Sequence, residues 1–188
     1  MEVIGLIGHQ GVGKNFIAEQ ILPKILSKKN TVVLAFADHF KVQCITKHGA
    51  SFDKVFGDKD FETRKILQKV GTEEGRDVYG YDIWIKTLHT WIKVLNSRGV
   101  ERFIISDVRF INEAEWIKSI NGKLIKIEAN ERFMKRLEQE TNNDTEKINT
   151  ILNHPSEKEV DLIDFYDFCL HNNPDDNDFE NLKAFLMS

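Results

Sequence analysis

The run Gly8-His9-Gln10-Gly11-Val12-Gly13-Lys14-Asn15 places three glycines and a lysine between the apolar stretch Val3 to Ile7 and the helix-prone stretch Phe16 to Leu22. The chemistry this spacing offers is capture of a polyphosphate. Glycines let consecutive backbone N–H groups turn inward, a helix N-terminus adds partial positive charge, and Lys14 can neutralise terminal phosphate oxygens. Gly11, Val12, Gly13, Lys14, Asn15 and Phe16 are therefore the expected phosphate-binding residues. Asn15 stands where such loops usually carry a hydroxyl residue, and its carboxamide oxygen is an acceptable hard ligand for Mg²⁺.

Ligands of open parallel sheets bind at the carboxyl ends of the strands, so polar residues directly after apolar runs are the next candidates. Asp38 and Lys41 follow the run ending Ala35-Phe36-Ala37, and Asp107 and Arg109 follow Ile104-Ile105-Ser106. An Asp in such a place can organise Mg²⁺, and an Arg two residues on can grip a second phosphate. Arg64 and Gln68, four apart on a helical stretch, offer a phosphate ligand and a partner for the polar edge of a base, with Thr72, Glu73 and Arg76 following. Trp84, beside Tyr81 and Asp82, is the best placed tryptophan for a ligand wall, whereas Trp91 and Trp116 fit a core. Each residue alone also has a plain reading as a cap, an ion pair or a solvated face; their joint occurrence with Gly13-Lys14 is what favours a site. The six histidines show no zinc spacing, no GxSxG elbow exists, and the protein-kinase signatures are absent.

These residues need elements to hold them. Apolar runs recur at Val3 to Ile7, Thr31 to Ala37, Arg102 to Ser106, Lys123 to Glu128 and Phe165 to Leu170. Continuous rather than alternating apolar strands call for burial on both faces, hence a parallel five-stranded sheet between helices, a three-layer α/β/α fold. Helical patterns at Phe40 to Lys47, Phe61 to Val70 and Ile83 to Ser97 fill a strand-free stretch too long for a simple crossover. It reads as a helical substrate-binding insert over about 38–100, and the polar excursion of about 130–156 reads as a lid or exposed helices. The 188 residues suit a single domain, and the net charge of −4 argues against a protein that coats nucleic acid. Acidic residues concentrate after Pro155, as in a solvated face. Two distant cysteines, Cys44 and Cys169, fit free thiols in a reducing compartment. No run approaches the length that spans a bilayer, and a first strand starting at Glu2 leaves no room for a signal peptide; a soluble, cytoplasmic protein is expected.

Taken in order, Gly8 to Asn15, Phe36 to Lys41, Arg64 to Glu73, Gly75-Arg76-Asp77, Asp82-Ile83-Trp84 and Ser106 to Glu113 resemble the deoxynucleoside monophosphate kinases of bacteriophages and large viruses. The resemblance covers roughly Met1 to Glu113 and resumes weakly at His154-Pro155-Ser156-Glu157. It implies a P-loop kinase fold and transfer of the γ-phosphoryl group of ATP, with Mg²⁺, to a deoxynucleoside 5′-monophosphate. Gly11, Gly13 and Lys14 would then cradle the donor, Asn15 and Asp107 would position Mg²⁺, and Asp38, Lys41, Arg64, Gln68, Arg76, Trp84 and Arg109 would line the acceptor side. Lys14, Asp38 and Arg109 become the catalytic candidates, joined by Arg132 and Arg136 as the arginines available to a lid. ATP and the monophosphate are the implied partners, and a homodimer stays open. Two readings compete: a phosphomevalonate kinase of the animal type, with a similar loop and strand-end Ser-Asp-x-Arg, and a nucleotide-binding module without kinase activity.

Overall fold

A computed structural model describes residues 1–26, 30–57, 59–173 and 176–188. The chain forms two compact units, one of Met1–Leu34 with Val94–Ser188 and the other of Ala35–Lys93.

The first unit is built on β1 (Glu2–Ile7), β2 (Thr31–Leu34), β3 (Arg102–Val108), β4 (Lys123–Glu128) and β5 (Phe168–Asn173). These five pair in parallel in the order β2-β3-β1-β4-β5. Ile4, Leu6, Ile7, Phe103, Ile104, Ile105, Leu124 and Ile125 are fully buried, which is why their strands carry no polar alternation. Each such side chain contributes about 1.5–3 kcal/mol of transfer free energy. Helices flank this sheet, giving the expected three-layer α/β/α architecture. A sixth, two-residue strand, β6 (Asp176–Asn177), adds antiparallel to the end of β5; it is too short to carry a sequence signal.

The β1 strand lies between β3 and β4, and the connections leaving β1 and β3 run to opposite sides of it. That is a topological switch point, where a crevice opens at the carboxyl ends of the two strands. Register shifts between them: Gly5 pairs with Ile105 but Ile7 pairs with Val108, so β3 carries one extra residue around Ser106 and Asp107. Such a bulge bends the strand and re-aims its side chains.

After β1 the chain enters α1 (Lys14–Phe16), passes through a π-helical turn (Ile17–Ile21) and ends in α2 (Leu22–Leu26). The Leu22 N–H donates to the Ile17 carbonyl five residues back, immediately before Pro23, which has no N–H to continue the ordinary ladder. Strand β2 stops at Leu34 rather than at Ala37. The Ala35 N–H donates to the Asp38 carboxylate (2.8 Å) and the Asp38 N–H to the Ala35 carbonyl (3.2 Å), so a local turn takes the groups a strand would use.

The second unit contains α3 (Asp38–His48), α4 (Phe52–Phe56), α5 (Phe61–Gly71), a π-helical turn (Thr72–Arg76), α6 (Asp77–Tyr79) and most of α7 (Ile83–Asn96). Its core is Cys44, Val55 and Val70, with Phe40, Ile45, Ala50, Ile66 and Leu67 packed around them. Helix α5 begins where Asp60 accepts from the Thr63 N–H at 2.8 Å. On α7 the buried stripe is Trp84, Ile85, Leu88 and Ile92; Trp91 falls off it and is half exposed, against the core placement its spacing implied.

The remaining helices belong to the first unit: α8 (Ile111–Ser119), α9 (Asn130–Thr141), α10 (Thr145–Leu152), α11 (Pro155–Leu162) and α12 (Phe179–Met187). The polar stretch after β4 is thus folded into α9 and α10, which bury Phe133, Leu137 and Ile151 and expose their charged faces. No helix among the described residues is long and apolar enough to cross a membrane.

Candidate active site

The loop between β1 and α1 is shaped by backbone conformations that side chains resist. Gly11 and Gly13 have φ of 80° and 96°. At Gly13 the space is also taken, since a Cβ there would stand 2.5 Å from Asn172 Nδ2. Asn172, buried on β5, donates to the Val12 carbonyl at 2.9 Å and so fixes the loop to the sheet. The Lys14 ammonium folds back beneath the loop, donating to the Gly8 and His9 carbonyls, each at 2.5 Å. Asn15 and Phe16 are exposed on the first turn of the helix.

Four ionisable side chains converge on this loop from other elements. Pairing of Ile7 with Val108 brings the chain beyond β1 beside the chain beyond β3, so Asp107 and Arg109 act electrostatically on Lys14. Helix α11 starts at Pro155, a residue suited to a first helical position, which puts Glu157 in the first turn and Asp161 one turn later on the same face. The Glu157 carboxylate pairs with the Arg109 guanidinium, accepts from His9 Nδ1–H at 2.9 Å and lies 3.4 Å from the Gln10 amide N. The other ring nitrogen of His9 reaches Asp161 at 2.8 Å. Two carboxylates on one imidazole are both satisfied only by the imidazolium.

Burial and charge set the protonation of this cluster. Burial, then the Arg109 charge, lowers the proton affinity of Lys14 well below the ordinary lysine range, against the opposing pull of Glu157 and Asp107. For Glu157, burial pushes the pKa up, but Arg109, the His9 hydrogen bond and Lys14 more than reverse it, leaving it at about 2. Burial lowers the His9 pKa, but the hydrogen bonds and charges of Glu157 and Asp161 together more than reverse it, for a net rise. A buried carboxylate therefore faces the same lysine, arginine and loop amide that an anionic ligand would use.

Of the two arginines expected in a lid, both lie on the exposed face of α9, four residues apart, and Arg136 reaches the loop. Its side-chain stem packs so closely on Gly11 that a Cβ there would stand 2.9 Å from Arg136 Cδ. Its guanidinium holds Glu140 at 2.7 Å. On the buried face of α9, Phe133 stacks on the His9 ring, with centroids 4.8 Å apart. Arg132 is exposed one turn earlier.

Within the second unit, Asp38 accepts from the Ala35 N–H and from Lys41 Nζ (3.1 Å), and Lys41 also lies over the Phe56 ring. The Asp38 carboxylate thus caps its own turn. Arg64 and Gln68 are partly buried on one face of α5, and Arg76 is buried with its guanidinium 5.1 Å from the Tyr81 ring centre. Trp84 departs from the expected ligand wall. It is 3% exposed, its indole N–H donates to the Gly71 carbonyl at 2.7 Å, and it packs on Phe40 and Gly75. Both its polar and apolar surfaces are used inside the unit's core.

Three participants escaped the sequence reading as site residues: Glu157, His9 and Asn172. His9 carries no metal-ligand or triad spacing, and Asn172 lies on a strand whose registration is a tertiary matter. Glu157 alone had a signal, in the His-Pro-Ser-Glu segment that opens α11.

Comparison with known proteins identifies the family. The family model described as Phosphomevalonate kinase matches residues 6–123, from β1 through the loop and the Asp107–Arg109 segment to the start of β4. A protein of Acanthamoeba polyphaga mimivirus named "Putative deoxynucleotide monophosphate kinase" is 30% identical over 192 residues, spanning 92% of this chain and 89% of that protein. Similar to that viral protein along nearly its whole length, the chain belongs to the phosphomevalonate kinase family and is a nucleotide- or phosphate-handling enzyme of the kinase superfamily.

Proposed function

We propose that the protein transfers the γ-phosphoryl group of ATP to the 5′-phosphate of a deoxynucleoside monophosphate, giving a deoxynucleoside diphosphate and ADP. The observation that carries phosphoryl transfer is the convergence of Lys14, Asp107, Arg109 and the glycine loop at the switch point of a parallel sheet. The choice of acceptor rests on kinship with the viral protein along nearly the whole chain.

In this reading the inward-turned amides of Gly11 to Lys14 and the Lys14 ammonium bind the donor phosphates. As those phosphates arrive, their charge restores the proton affinity that burial takes from Lys14. Arg109 grips the acceptor phosphate, and Glu157 and His9 hold Arg109 and the loop in register. Arg136, already against Gly11, supplies positive charge from the lid helix, with Arg132 one turn away. Asp38, Lys41, Arg64, Gln68 and Arg76 contribute to recognition of the acceptor. An oxygen of the acceptor phosphate attacks the γ-phosphorus in line while the bond to the β-phosphate oxygen breaks, and no general base is required because the acceptor is already ionised near neutral pH. A carboxylate beside the loop lysine and an exposed carboxamide at the helix start are hard oxygen donors that fit Mg²⁺, so Asp107 and Asn15 would hold it. The ion neutralises polyphosphate charge when bound.

A second reading has its own support, because the matching family model is that of phosphomevalonate kinase. The burial of Trp84 also removes one base-stacking candidate. An assay of ADP release with each nucleoside and deoxynucleoside monophosphate, with phosphomevalonate, and with no acceptor separates the readings. Stimulation by deoxynucleotides is expected; stimulation by phosphomevalonate alone, or by nothing, overturns the proposal.

A further inference from the structure

Two neighbouring strands present a set of donors that phosphoryl transfer does not use. Glu128 at the end of β4 is the register partner of His171 on β5, and Cys169 stands two residues before His171 and so on the same face. One ligand atom from each of Glu128, Cys169 and His171 lies within 4.8 Å of the other two, and His171 Nδ1 is 3.7 Å from Glu128 Oε2. Among the described residues this is the one group of three such donors so close together. Ligand atoms about 2.0–2.3 Å from a tetrahedral zinc ion stand roughly 3.3–3.8 Å apart, so the His171–Glu128 pair already has the spacing of two zinc ligands and the thiol lies within about 1 Å of it. The backbone is preset by parallel pairing, and the side chains are reachable, His171 being 45% and Glu128 39% exposed.

We propose that Glu128, Cys169 and His171 form a binding site for a borderline-soft divalent ion of the Zn²⁺ type, with a fourth position left to water. Thiolate, imidazole and carboxylate on one centre select Zn²⁺ or Co²⁺ over Mg²⁺, which prefers oxygen alone. The site is therefore distinct in chemistry from the Mg²⁺ position assigned to Asp107 and Asn15. It is also distinct in place, because Asn172, next in sequence to His171, points to the other face of the sheet, where it holds the phosphate loop. Lys126, 3.9 Å from Glu128 Oε1, is the cation the metal displaces, and the Cys169 thiol releases its proton to solvent on binding.

The test is titration of the metal-stripped full chain with Co²⁺ in the absence of nucleotide, read by the thiolate-to-cobalt charge-transfer absorption. Binding of one equivalent, displaced by Zn²⁺ and unaffected by excess Mg²⁺, is expected. Cys169→Ser should abolish the charge-transfer band and Cys44→Ser should leave it intact, which assigns the thiol because the chain has only these two cysteines. His171→Ala and the shape-preserving Glu128→Gln should each weaken binding by at least the roughly 10–100-fold that even outer-shell changes produce. Absence of the band, its loss with Cys44→Ser instead, or unchanged affinity in His171→Ala overturns the proposal, and none of these outcomes bears on the kinase reading.

Discussion

Replacing Glu157 with Gln keeps the volume of a buried side chain while removing the charge that Arg109, His9 and Lys14 share. The Glu157 carboxyl titrates at about 2 in the folded chain against an ordinary 4.5, because Arg109, the His9 hydrogen bond and Lys14 overcome its burial. At ~1.4 kcal/mol per tenfold change in proton affinity, that difference amounts to about 3 kcal/mol favouring the ionised form in the folded state. The folded value lies below the unfolded one, so this contribution is fully present above pH 4.5 and is lost as the pH falls through 2. Glu157→Gln should therefore be about 3 kcal/mol less stable than the parent at pH 7. The gap should close between pH 4.5 and 2, where the parent's own carboxylate takes up its proton. Urea unfolding of both proteins at a series of pH values, followed by circular dichroism, measures the gap directly. His9 gives an independent reading: without Glu157 its raised pKa should fall, and its resonances in a proton NMR titration should move to lower pH. A gap that stays constant down to pH 2, or no gap at pH 7, would refute the view that this carboxylate is the electrostatic centre of the loop.

Other changes test separate parts of the site. Lys14→Ala should reduce turnover by at least ~10²–10³-fold, in line with loss of a principal charge-stabilising donor, while circular dichroism stays that of the parent; near-normal turnover would remove Lys14 from the mechanism. Arg109→Ala should raise the acceptor KM far more than the ATP KM, and equal effects on both would count against its place on the acceptor. Gly13→Ala forces a Cβ onto Asn172 Nδ2 at a φ of 96°, so a loss of about 1–3 kcal/mol is expected in denaturant unfolding together with weaker nucleotide binding. Trp84→Phe removes the hydrogen bond to the Gly71 carbonyl and should cost about 1 kcal/mol of stability with the acceptor KM unchanged. A raised acceptor KM in that variant would return Trp84 to the ligand wall.

Much of the fold is legible in local chemistry. Strands whose both faces are buried carry unbroken apolar runs, and those runs located all five parallel strands, with β4 at its observed bounds. Glycines at positive φ followed by Lys14 and a helix mark the loop after β1, because side chains resist that backbone. Strand ends were harder to read, as at Leu34, where the Asp38 turn outcompetes the ladder although the apolar pattern continues. Trp84 shows the same limit: its neighbours Tyr81 and Asp82 are polar, but its burial is decided by packing on Gly71, Gly75 and Phe40, contacts the local pattern does not record.

The sequence by itself determined the layer architecture, the glycine loop after β1 and the position of Asp107 and Arg109 at the end of β3, since hydrophobic period and backbone tolerance are properties of short segments. Only the tertiary structure decided that Glu157, 148 residues from His9, would sit on that loop, that β3 would carry a bulge at Ser106 and Asp107, and that Asn172 would hold the loop by its bond to the Val12 carbonyl. Those outcomes depend on strand register and on the packing of α11 against the loop, which are sums over contacts between segments far apart in the chain, and no single segment records them.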